Sequence, residues 1–346
     1  MSGGVDSGMA AALLKERGYA VRGVFLRVWK GTRTNKKDSS LEDARKIARV
    51  LKIPLKTINA RDRFKKEIVG YFLKEYASGR TPNPCVICNK DIKFKILFEE
   101  MLKFKADGVA TGHYAKIKNQ ESRIKNQAGY KLLEARDKIK DQSYFLYRLK
   151  QSQLAKIIFP LGEYEKTQIR KLAKKFKLPV HKKKESQDIC FLSGTDTDQF
   201  LKKNLRLKKG EIIDADGKII SRHQGLPLYT IGQRKRINIG GTGPYYVVAK
   251  NKRYNRLMVT NNKRDEKLNS ETAYLKKVNW ISAKPKFPLK VLLRTRYQNP
   301  LIYATINKES GKYKVEFEIP QRAVTPGQSA VFYSSKEEVL GGGIVK

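Results

Sequence analysis

The chain has 346 residues, 40% of them hydrophobic, which can build two or three cores, while its three cysteines cannot form an evenly paired disulfide framework. Its 74 lysines and arginines exceed 33 acidic residues, and the formal charge of +41 favours a polyanionic partner over a membrane surface, with a lysine-rich proteome as the alternative cause. No apolar run reaches the ~18 residues that span a bilayer and no cleavable leader pattern is seen, so we expect a protein of the reducing cytoplasm.

The first half of the chain alternates helical and extended patterns. Helices are predicted at 9–17, 41–51, 63–76 and 92–104, and strands at 21–28, 55–59 and 108–111. Strands separated by helices predict an α/β fold with a doubly wound parallel sheet, in which ligands bind at the carboxyl ends of the strands. Residues 115–129 nearly repeat a four-residue pattern, which predicts an expanded loop between two short strands. We expect the nucleotide-binding and catalytic domain to span residues 1–195.

The second half of the chain has a different character. Short alternating strands with glycine-rich turns, such as the turn at 240–243, fill residues 210–260 and again 272–346. Such a series of short strands is typical of small barrels and sandwiches. We therefore expect a small β-rich central domain at 196–265 and a C-terminal β-barrel at 266–346.

The chain opens with a glycine-rich string that runs directly into the first predicted helix. Its residues are Ser2, Gly3, Gly4, Val5, Asp6 and Ser7. Glycines let backbone N–H groups turn toward an anion, and a helix N-terminus adds free donors and a favourable dipole. Ser7 can donate to a phosphate and Asp6 can help to hold Mg²⁺, although a purely structural turn is the alternative. Because such a loop normally follows a buried strand, we expect one upstream of Met1.

Three cysteines form the second group of chemical interest. Cys85 and Cys88 follow a proline-rich loop at the predicted start of a helix, where the helix dipole lowers a thiol pKa and Lys90 and Lys93 would lower it further. Cys190 lies in the string S-Q-D-I-C-F at 186–191. Two alternatives stay open: half of a zinc site that Cys190 and a histidine complete, and a lone buried cysteine.

Taken together, these motifs resemble the bacterial tRNA-specific 2-thiouridylase family of the ATP pyrophosphatase superfamily. The matching strings lie at 2–7, 81–89, 110–114, 140–146, 186–191, 223–225, 231–235, 296–297 and 325–328. The resemblance covers almost the whole chain. Within the string 110–114, we expect His113 to have a structural role.

The resemblance implies an enzyme that uses ATP to adenylate the C2 oxygen of a wobble uridine in tRNA and then replaces that oxygen with sulfur. It implies Cys88 as the nucleophile and Cys190 as the carrier of a persulfide. The implied nucleotide site consists of Met1, Ser2, Gly3, Gly4, Val5, Asp6, Ser7, Leu26 and Gly112. The implied contacts to the target base are Asn83, Pro84 and Cys85, and those to tRNA are Lys140, Asp141, Gln142, Arg296 and Tyr297.

The resemblance also implies cofactors and partners. These are ATP, Mg²⁺, the tRNAs for Lys, Glu and Gln, and a sulfur carrier or cysteine desulfurase. Many family members have Asp where Cys85 stands, so a 4Fe–4S cluster held by the three cysteines competes with the persulfide route. Two other functions stay open: a different ATP pyrophosphatase ligase, and an RNA-binding protein with an inactive nucleotide fold.

Overall fold

The computed structural model describes residues 1–29, 39–120, 129–184, 189–192, 194–237, 239–240, 243–335 and 337–346. Four predicted features fall outside these ranges in whole or in part. They are the polar loop at 30–38, the second copy of the near-repeat at 124–127, the start of the Cys190 string at 186–188, and the middle of the glycine turn at 241–242. No helix in the described ranges is long and apolar enough to span a bilayer.

The first part of the chain is an α/β unit built on parallel strands. Its helices are α1 (Val5–Glu16), α2 (Ser39–Val50), α3 (Arg61–Phe64), α4 (Gly70–Ala77), α5 (Pro84–Cys88), α6 (Lys95–Lys103), α7 (Gln151–Leu154) and α8 (Lys166–Lys175). Its strands are β1 (Gly23–Arg27), β2 (Leu55–Asn59), β3 (Val109–Ala110), β4 (Lys116–Gln120), β5 (Gly129–Leu133) and β6 (Ile157–Ile158). Strand β1 pairs with β2, and β3 with β6, both in parallel. The predicted parallel α/β class is confirmed, with two separate two-stranded ladders among the described residues.

Helix α1 begins four residues earlier than its periodicity predicts. Gly4 is its N-cap in an extended conformation (φ −98°, ψ 165°), so Val5, Asp6 and Ser7 form the first helical turn. The helix is apolar on most of its surface because it is buried among other elements, and it packs against α8.

The helix that carries two of the cysteines also begins earlier than predicted. It starts at Pro84, since proline at the first helical position is already fixed at a helical φ. A π-helical turn (Asn89–Phe94) joins α5 to α6 without interruption. Cys85 and Cys88 therefore lie inside the first turns of a helical run over 84–103. A similar π-helical turn (Lys65–Val69) joins α3 to α4.

The second half of the chain is mainly β, as predicted. After α9 (Thr197–Asn204), the strands β7 (Gly210–Ile213), β8 (Ile219–His223), β9 (Tyr246–Asn251) and β10 (Arg256–Thr260) form a sheet in the order β8-β7-β10-β9. The barrel strands are β11 (Asn269–Trp280), β12 (Leu289–Arg294), β13 (Ile302–Glu309), β14 (Lys312–Arg322), β15 (Ser329–Tyr333) and β16 (Glu338–Val345). They follow the order β11-β14-β13-β12-β15-β16, and pairing of β11 with β16 closes the barrel.

A hairpin of the first domain extends the sheet of the barrel. Strands β4 and β5 pair with each other, and β5 pairs with β16 through Leu133 opposite Glu338 and Leu132 opposite Val339. The two short strands predicted around the near-repeat are thus confirmed. A salt bridge of 2.9 Å between Arg294 and the buried Glu134 adds a second connection. The α/β domain and the barrel therefore share one continuous sheet.

Candidate functional site

The glycine-rich string forms a turn that opens helix α1. Gly3 has a positive φ of 74°, and the Ser2 backbone N–H donates to the Ser7 hydroxyl at 3.0 Å. The Ser7 hydroxyl in turn donates to the Gly4 carbonyl at 3.2 Å. Because Gly4 has no side chain with which to cap the helix, the first N–H groups of α1 lack a side-chain acceptor from the N-cap. This arrangement leaves helix donors available to an anion.

Two glycines permit close approaches around this turn. A Cβ atom on Gly3 would lie 2.1 Å from the Ser40 carbonyl oxygen, at the start of α2. A Cβ atom on Gly112 would lie 2.7 Å from both the Asp6 carbonyl carbon and the Ser7 nitrogen. The structure therefore brings the segment after β3 directly against the first turn of α1, as the predicted nucleotide site requires.

Asp6 lies at the centre of a small polar cluster. Its Oδ1 atom accepts from the Tyr114 hydroxyl at 2.9 Å and from Lys166 Nζ at 2.6 Å. The Lys166 side chain is only 9% exposed, whereas that of Asp6 is 31% exposed. Nearby, Lys183 Nζ donates to the Gly3 carbonyl at 3.1 Å and to Asp43 Oδ2 at 2.6 Å. Two lysines thus hold the turn from the side of α8 and the segment that follows it.

The polar cluster is compatible with Mg²⁺ bound together with phosphates. A carboxylate offers about four lone-pair positions, so Asp6 retains capacity for a cation beside Tyr114 and Lys166. No group of three or more His, Cys, Asp or Glu side chains that could hold a metal ion occurs within the described ranges. Mg²⁺ is commonly held by one or two carboxylates, substrate phosphates and water, and Asp6 fits that pattern.

Two other residues predicted to bind the nucleotide, Leu26 and Met1, contact the core beside β1 and strand β1 itself. Leu26, near the end of β1, packs on the apolar core that contains Cys88. The Met1 nitrogen donates to the Val24 carbonyl of the same strand. The glycine-rich turn at residues 2–7 and the Cys88 core are therefore connected through β1.

The three cysteines are all in the thiol form but differ in exposure. Cys88 is buried at 7% exposure, Cys85 is half-buried, and Cys190 is exposed. Phe191 shares the Cys88 core and packs edge-on against Phe72, with ring centroids 5.0 Å apart. Since Phe191 is anchored in this core, the adjacent Cys190 is held near the helix of Cys85 and Cys88.

The expectation of lowered thiol pKa values is wrong. Burial raises the pKa of Cys88 to about 12, and it also raises the pKa of Cys85. The residue Cys190 as a whole is exposed, but its sulfur lies among protein atoms whose burial of the thiol raises its pKa as well. The positive charge of Lys93 opposes this shift at all three thiols, but loss of water around each sulfur outweighs it. A negative charge on one of these sulfurs also raises the pKa of its neighbours, which indicates that the three cysteines lie close together.

His113 has the structural role expected of it. Its Nδ1 atom lies 2.8 Å from the Thr111 hydroxyl, and its ring stacks on Phe94 with centroids 5.9 Å apart. Burial, with a smaller effect of Lys93, lowers the pKa of His113 to about 3, which keeps the ring neutral. Neither the zinc site nor the cluster of the alternative interpretations has a preformed set of three ligands in the described part of the chain.

The loop predicted to read the target base is fixed by both other domains. Asn83 is the N-cap of α5, and Pro84 is buried at its first position. Two residues earlier, the Thr81 N–H donates to the Pro326 carbonyl at 2.9 Å, and Gln328 Nε2 donates to the Thr81 carbonyl at 2.8 Å. The Thr81 hydroxyl also lies 3.0 Å from that of Thr230 in the central domain.

The structure brings the predicted tRNA contacts of the first domain and of the barrel together. The Tyr297 hydroxyl donates to the Asp141 carbonyl at 3.0 Å, and Arg296 Nη2 donates to the Thr325 hydroxyl at 3.0 Å. The Gln142 N–H donates to the Tyr114 carbonyl at 2.8 Å.

Asp141 differs from a surface contact because its carboxylate points inward. It is 2% exposed and accepts from the Ala135 N–H at 2.8 Å and the Ser143 hydroxyl at 2.7 Å. Burial raises the pKa of Asp141 to about 6, partly offset by these hydrogen bonds. The side chain of Asp141 therefore fixes the loop, while the neighbouring Lys140 and Gln142 are less buried.

Sequence reasoning missed Lys166 and Lys183 at the glycine-rich turn. Lys166 is 160 residues from Asp6, and no motif marks the pair. Lys183 belongs to a basic run that precedes Cys190, and that run was the only signal available.

Comparisons with known proteins agree with this architecture. Residues 1–194 match the family described as "tRNA methyl transferase HUP domain". Residues 198–261 match "tRNA methyl transferase PRC-barrel domain", and residues 270–345 match "Aminomethyltransferase beta-barrel domain".

Relatives of known function match over the full length. The tRNA-specific 2-thiouridylase MnmA of Geobacillus thermodenitrificans is 42% identical over 100% of this chain and 93% of its own length. The tRNA-specific 2-thiouridylase MnmA 2 of Clostridium botulinum is 43% identical over 100% of this chain and 97% of its own. A solved structure, NMN synthetase from Francisella tularensis, covers 57% of this chain and 68% of its own with 18% identity, and its TM-score of 0.33 is too low to support an argument.

Proposed function

Because the chain belongs to the tRNA-specific 2-thiouridylase family, we propose that it uses ATP to activate the C2 oxygen of a wobble uridine in tRNA and replaces that oxygen with sulfur. One observation carries this proposal. A phosphate-binding turn at α1 and a group of three thiols lie in one domain, connected through β1 and the core that it shares with Cys88. A reaction that consumes ATP and delivers sulfur to the same base needs both.

The phosphate-binding turn is the part of the site that handles ATP. The N–H groups of α1 would hold the phosphates, while Lys166 and Lys183 place positive charge beside them. Mg²⁺ bound at Asp6 would neutralise negative charge on the phosphates. Gly112 would keep the segment after β3 against the turn beside the nucleotide, and Leu26 would pack against the base.

Sulfur transfer would use Cys190 and Cys88. The terminal sulfur of a Cys190 persulfide becomes the new substituent on C2, and AMP departs with the original oxygen. The Cys190–sulfur bond breaks as Cys88 attacks Cys190 Sγ, which leaves a disulfide between the two residues. A dithiol reductant then supplies two electrons and two protons to restore both thiols. A sulfur carrier or cysteine desulfurase would reload Cys190.

The raised pKa of Cys88 sets a requirement for this step. At neutral pH the thiol is protonated, so a proton must leave it before attack. Lys93 is the cation whose charge favours the thiolate at each of the three cysteines. We therefore assign Lys93 a supporting role in forming the nucleophile.

The RNA would contact both the first domain and the barrel. Lys140, Gln142 and Arg296 are the side chains proposed to bind it, with Asp141 and Tyr297 fixing their positions. Asn83, Pro84 and Cys85 would read the target base. The expected substrates are the tRNAs for Lys, Glu and Gln. For the three domains we propose the boundaries 1–195, 196–265 and 266–346.

Other activities fit the site less well. The family descriptions include the words methyl transferase, but methyl transfer from a small donor needs neither an ATP phosphate-binding turn nor three neighbouring thiols. A small-molecule ligase would have no use for the thiols. A cluster-dependent route is the remaining rival for sulfur delivery. It would require the three thiols to converge, because the described residues contain no preformed set of three ligands.

The test is mass spectrometry of nucleosides from tRNA incubated with the protein, ATP, Mg²⁺, a cysteine desulfurase and cysteine. We expect 2-thiouridine and one AMP per modified base, and loss of both sulfur transfer and disulfide formation in Cys88→Ser and Cys190→Ser. The matched variant Cys85→Asp should stay close to wild type, because the two essential thiols remain. Iron, acid-labile sulfide and loss of activity in Cys85→Asp after anaerobic purification would refute the persulfide route.

A further inference from the structure

Strand β11 contains a bulge that places two consecutive lysines on the outer surface of the barrel. Opposite β16, Lys276 pairs with Ile344 and Asn279 with Gly342, so three steps on β11 match two on β16. Leu275 and Val278, three residues apart, both pack in the barrel core. In a regular strand, residues three apart point to opposite faces. The extra residue at the bulge lets Leu275 and Val278 both face the core, and it leaves the Lys276 and Lys277 side chains on the outside of the barrel.

The bulge requires an unfavourable backbone conformation. Lys277 has a positive φ of 53°, which costs about 1 kcal/mol for a residue with a Cβ atom. Bulges of this kind redirect side chains, often next to functional sites. Lys277 is exposed beside the half-buried Lys276, so the bulge concentrates positive charge on this face of the barrel.

Hydrogen bonds of two asparagines fix the backbone segments that carry three further cations, Lys90, Arg148 and Lys150. Asn279 Nδ2 donates to the carbonyls of Tyr147 at 2.7 Å and Leu149 at 3.3 Å, which fixes the segment that carries Arg148 and Lys150. Asn89 Nδ2 donates to the Phe145 carbonyl at 3.2 Å, close to the same segment. Asn89 lies between Cys88 and Lys90 in the helical run over 84–103. We call the resulting surface the basic ridge: Lys90, Arg148, Lys150, Lys276 and Lys277.

The cations of the basic ridge influence one another. Partial burial lowers the pKa of Lys90, and the nearby charges of Arg148, Lys150 and Lys277 lower it further, against an opposing effect of Asp91. Partial burial also lowers the pKa of Lys276. The negative charge of Glu75 opposes this shift, whereas the positive charges of Arg80 and Lys277 add to it. Glu75 is already bound by Arg80 through two hydrogen bonds of 2.6 and 2.9 Å. Positive charge is thus in excess at the ridge.

We propose that the basic ridge binds the sugar–phosphate backbone of the tRNA next to the nucleotide that reaches Cys88. Lys90 lies only two residues after Cys88 in the same helical run, although on a different face of the helix. The ridge is therefore close enough to hold backbone on one side of a nucleotide bound at the thiols. This inference rests on the proposed function for the identity of the RNA. It assigns binding to a surface formed jointly by the first domain and the barrel, separate from Lys140 to Gln142 and Arg296.

The test compares the variant Lys276→Gln/Lys277→Asn with the control Lys175→Gln/Lys177→Asn. Asn tolerates a positive φ, and Lys177 shares the φ of 53° of Lys277, so both variants remove two charges from similar backbone. Unmodified tRNA transcript is titrated between 50 and 200 mM salt. We expect the ridge variant to lose affinity several-fold and its salt slope to fall by about two units, with the control unchanged.

A second variant, Lys150→Gln, tests the ridge away from the bulge and should reduce the slope by about one unit. Equal tRNA binding by ridge variants and control would overturn the inference. So would unchanged tRNA affinity with impaired sulfur loading by the desulfurase, which would mark the ridge as a protein-binding surface. If wild type forms no 2-thiouridine while the ridge variants still lose salt-dependent tRNA binding, the proposed function fails and the ridge inference stands.

Discussion

The Tyr297 hydroxyl donates to the backbone carbonyl of Asp141 at 3.0 Å, and this hydrogen bond joins two segments that lie 156 residues apart in the chain. The ring of Tyr297 also packs on Phe145, with centroids 4.5 Å apart. A barrel residue thus fixes the backbone of the first domain at the position where RNA is proposed to bind.

Tyr297→Phe should therefore weaken this connection without removing charge. Loss of one hydrogen bond should lower the free energy of unfolding by about 1 kcal/mol, as measured by urea titration. tRNA affinity should fall modestly while its salt slope stays constant, because no phosphate contact is lost. The control is Tyr303→Phe, since Tyr303 is 64% exposed. A change in salt slope would indicate that Tyr297 acts on RNA by another route.

Gly112→Ala tests the close approach at the phosphate-binding turn. The added methyl group would meet the Asp6 and Ser7 backbone at 2.7 Å, so the turn and the segment after β3 must separate. A displacement of this kind at a reacting centre can reduce the rate by about 100-fold, and we expect such a loss in tRNA-dependent pyrophosphate release. Gly240→Ala is the matched control, because no atom lies within 4 Å of a Cβ there. Equal rates for the two variants would contradict the assignment of Gly112.

Lys166→Met tests the charge balance at Asp6. Without Lys166, the carboxylate of Asp6 would repel the ATP phosphates, and binding of a non-hydrolysable ATP analogue should weaken about tenfold, a Coulomb energy of about 1.4 kcal/mol. tRNA affinity should be nearly unaffected. The control Lys171→Met removes an exposed lysine from the same helix, α8. Calorimetry that shows equal ATP affinity in both variants would refute the role given to Lys166.

The raised pKa of Cys88 predicts its alkylation profile. Iodoacetamide reacts with thiolate, so the rate at Cys88, followed by peptide mass mapping, should be low at pH 7.5 and still rising at pH 10. Lys93→Met should shift the profile to higher pH, since Lys93 opposes the effect of burial. Lys95→Met, an exposed lysine two residues later, should leave it unchanged. A plateau below pH 9 in wild type would show that the thiol is not shielded from water.

Local pattern and motif order were sufficient to predict the fold class and the family, but they predicted the element boundaries less well. The periodicity predicted a helix over 92–104, whereas the helical run that contains Cys88 begins at Pro84, because proline at the first helical position is already fixed at a helical φ. Similarly, the extended Gly4 caps α1 earlier than the apolar periodicity indicates.

The electrostatics of the site depended on tertiary structure that no local pattern contains. The position of Cys88 at a helix start predicted a lowered pKa, but burial by Phe191 and its neighbours, about 100 residues away along the chain, reverses the direction. The pairing of Asp6 with Lys166 was missed for the same reason, because the two residues are 160 positions apart.

The hairpin that β4 and β5 add to the barrel also has a consequence for synthesis of the chain. Its partner strand β16 ends at Val345, so the ribosome makes the hairpin roughly 200 residues before β16 exists. Until then β5 presents an unpaired edge of the type that favours aggregation. Lys116, Lys118 and Lys131 place charges on the two strands, a common protection of exposed edges. We therefore expect nascent chains truncated before β16 to aggregate more when these lysines are replaced by threonine.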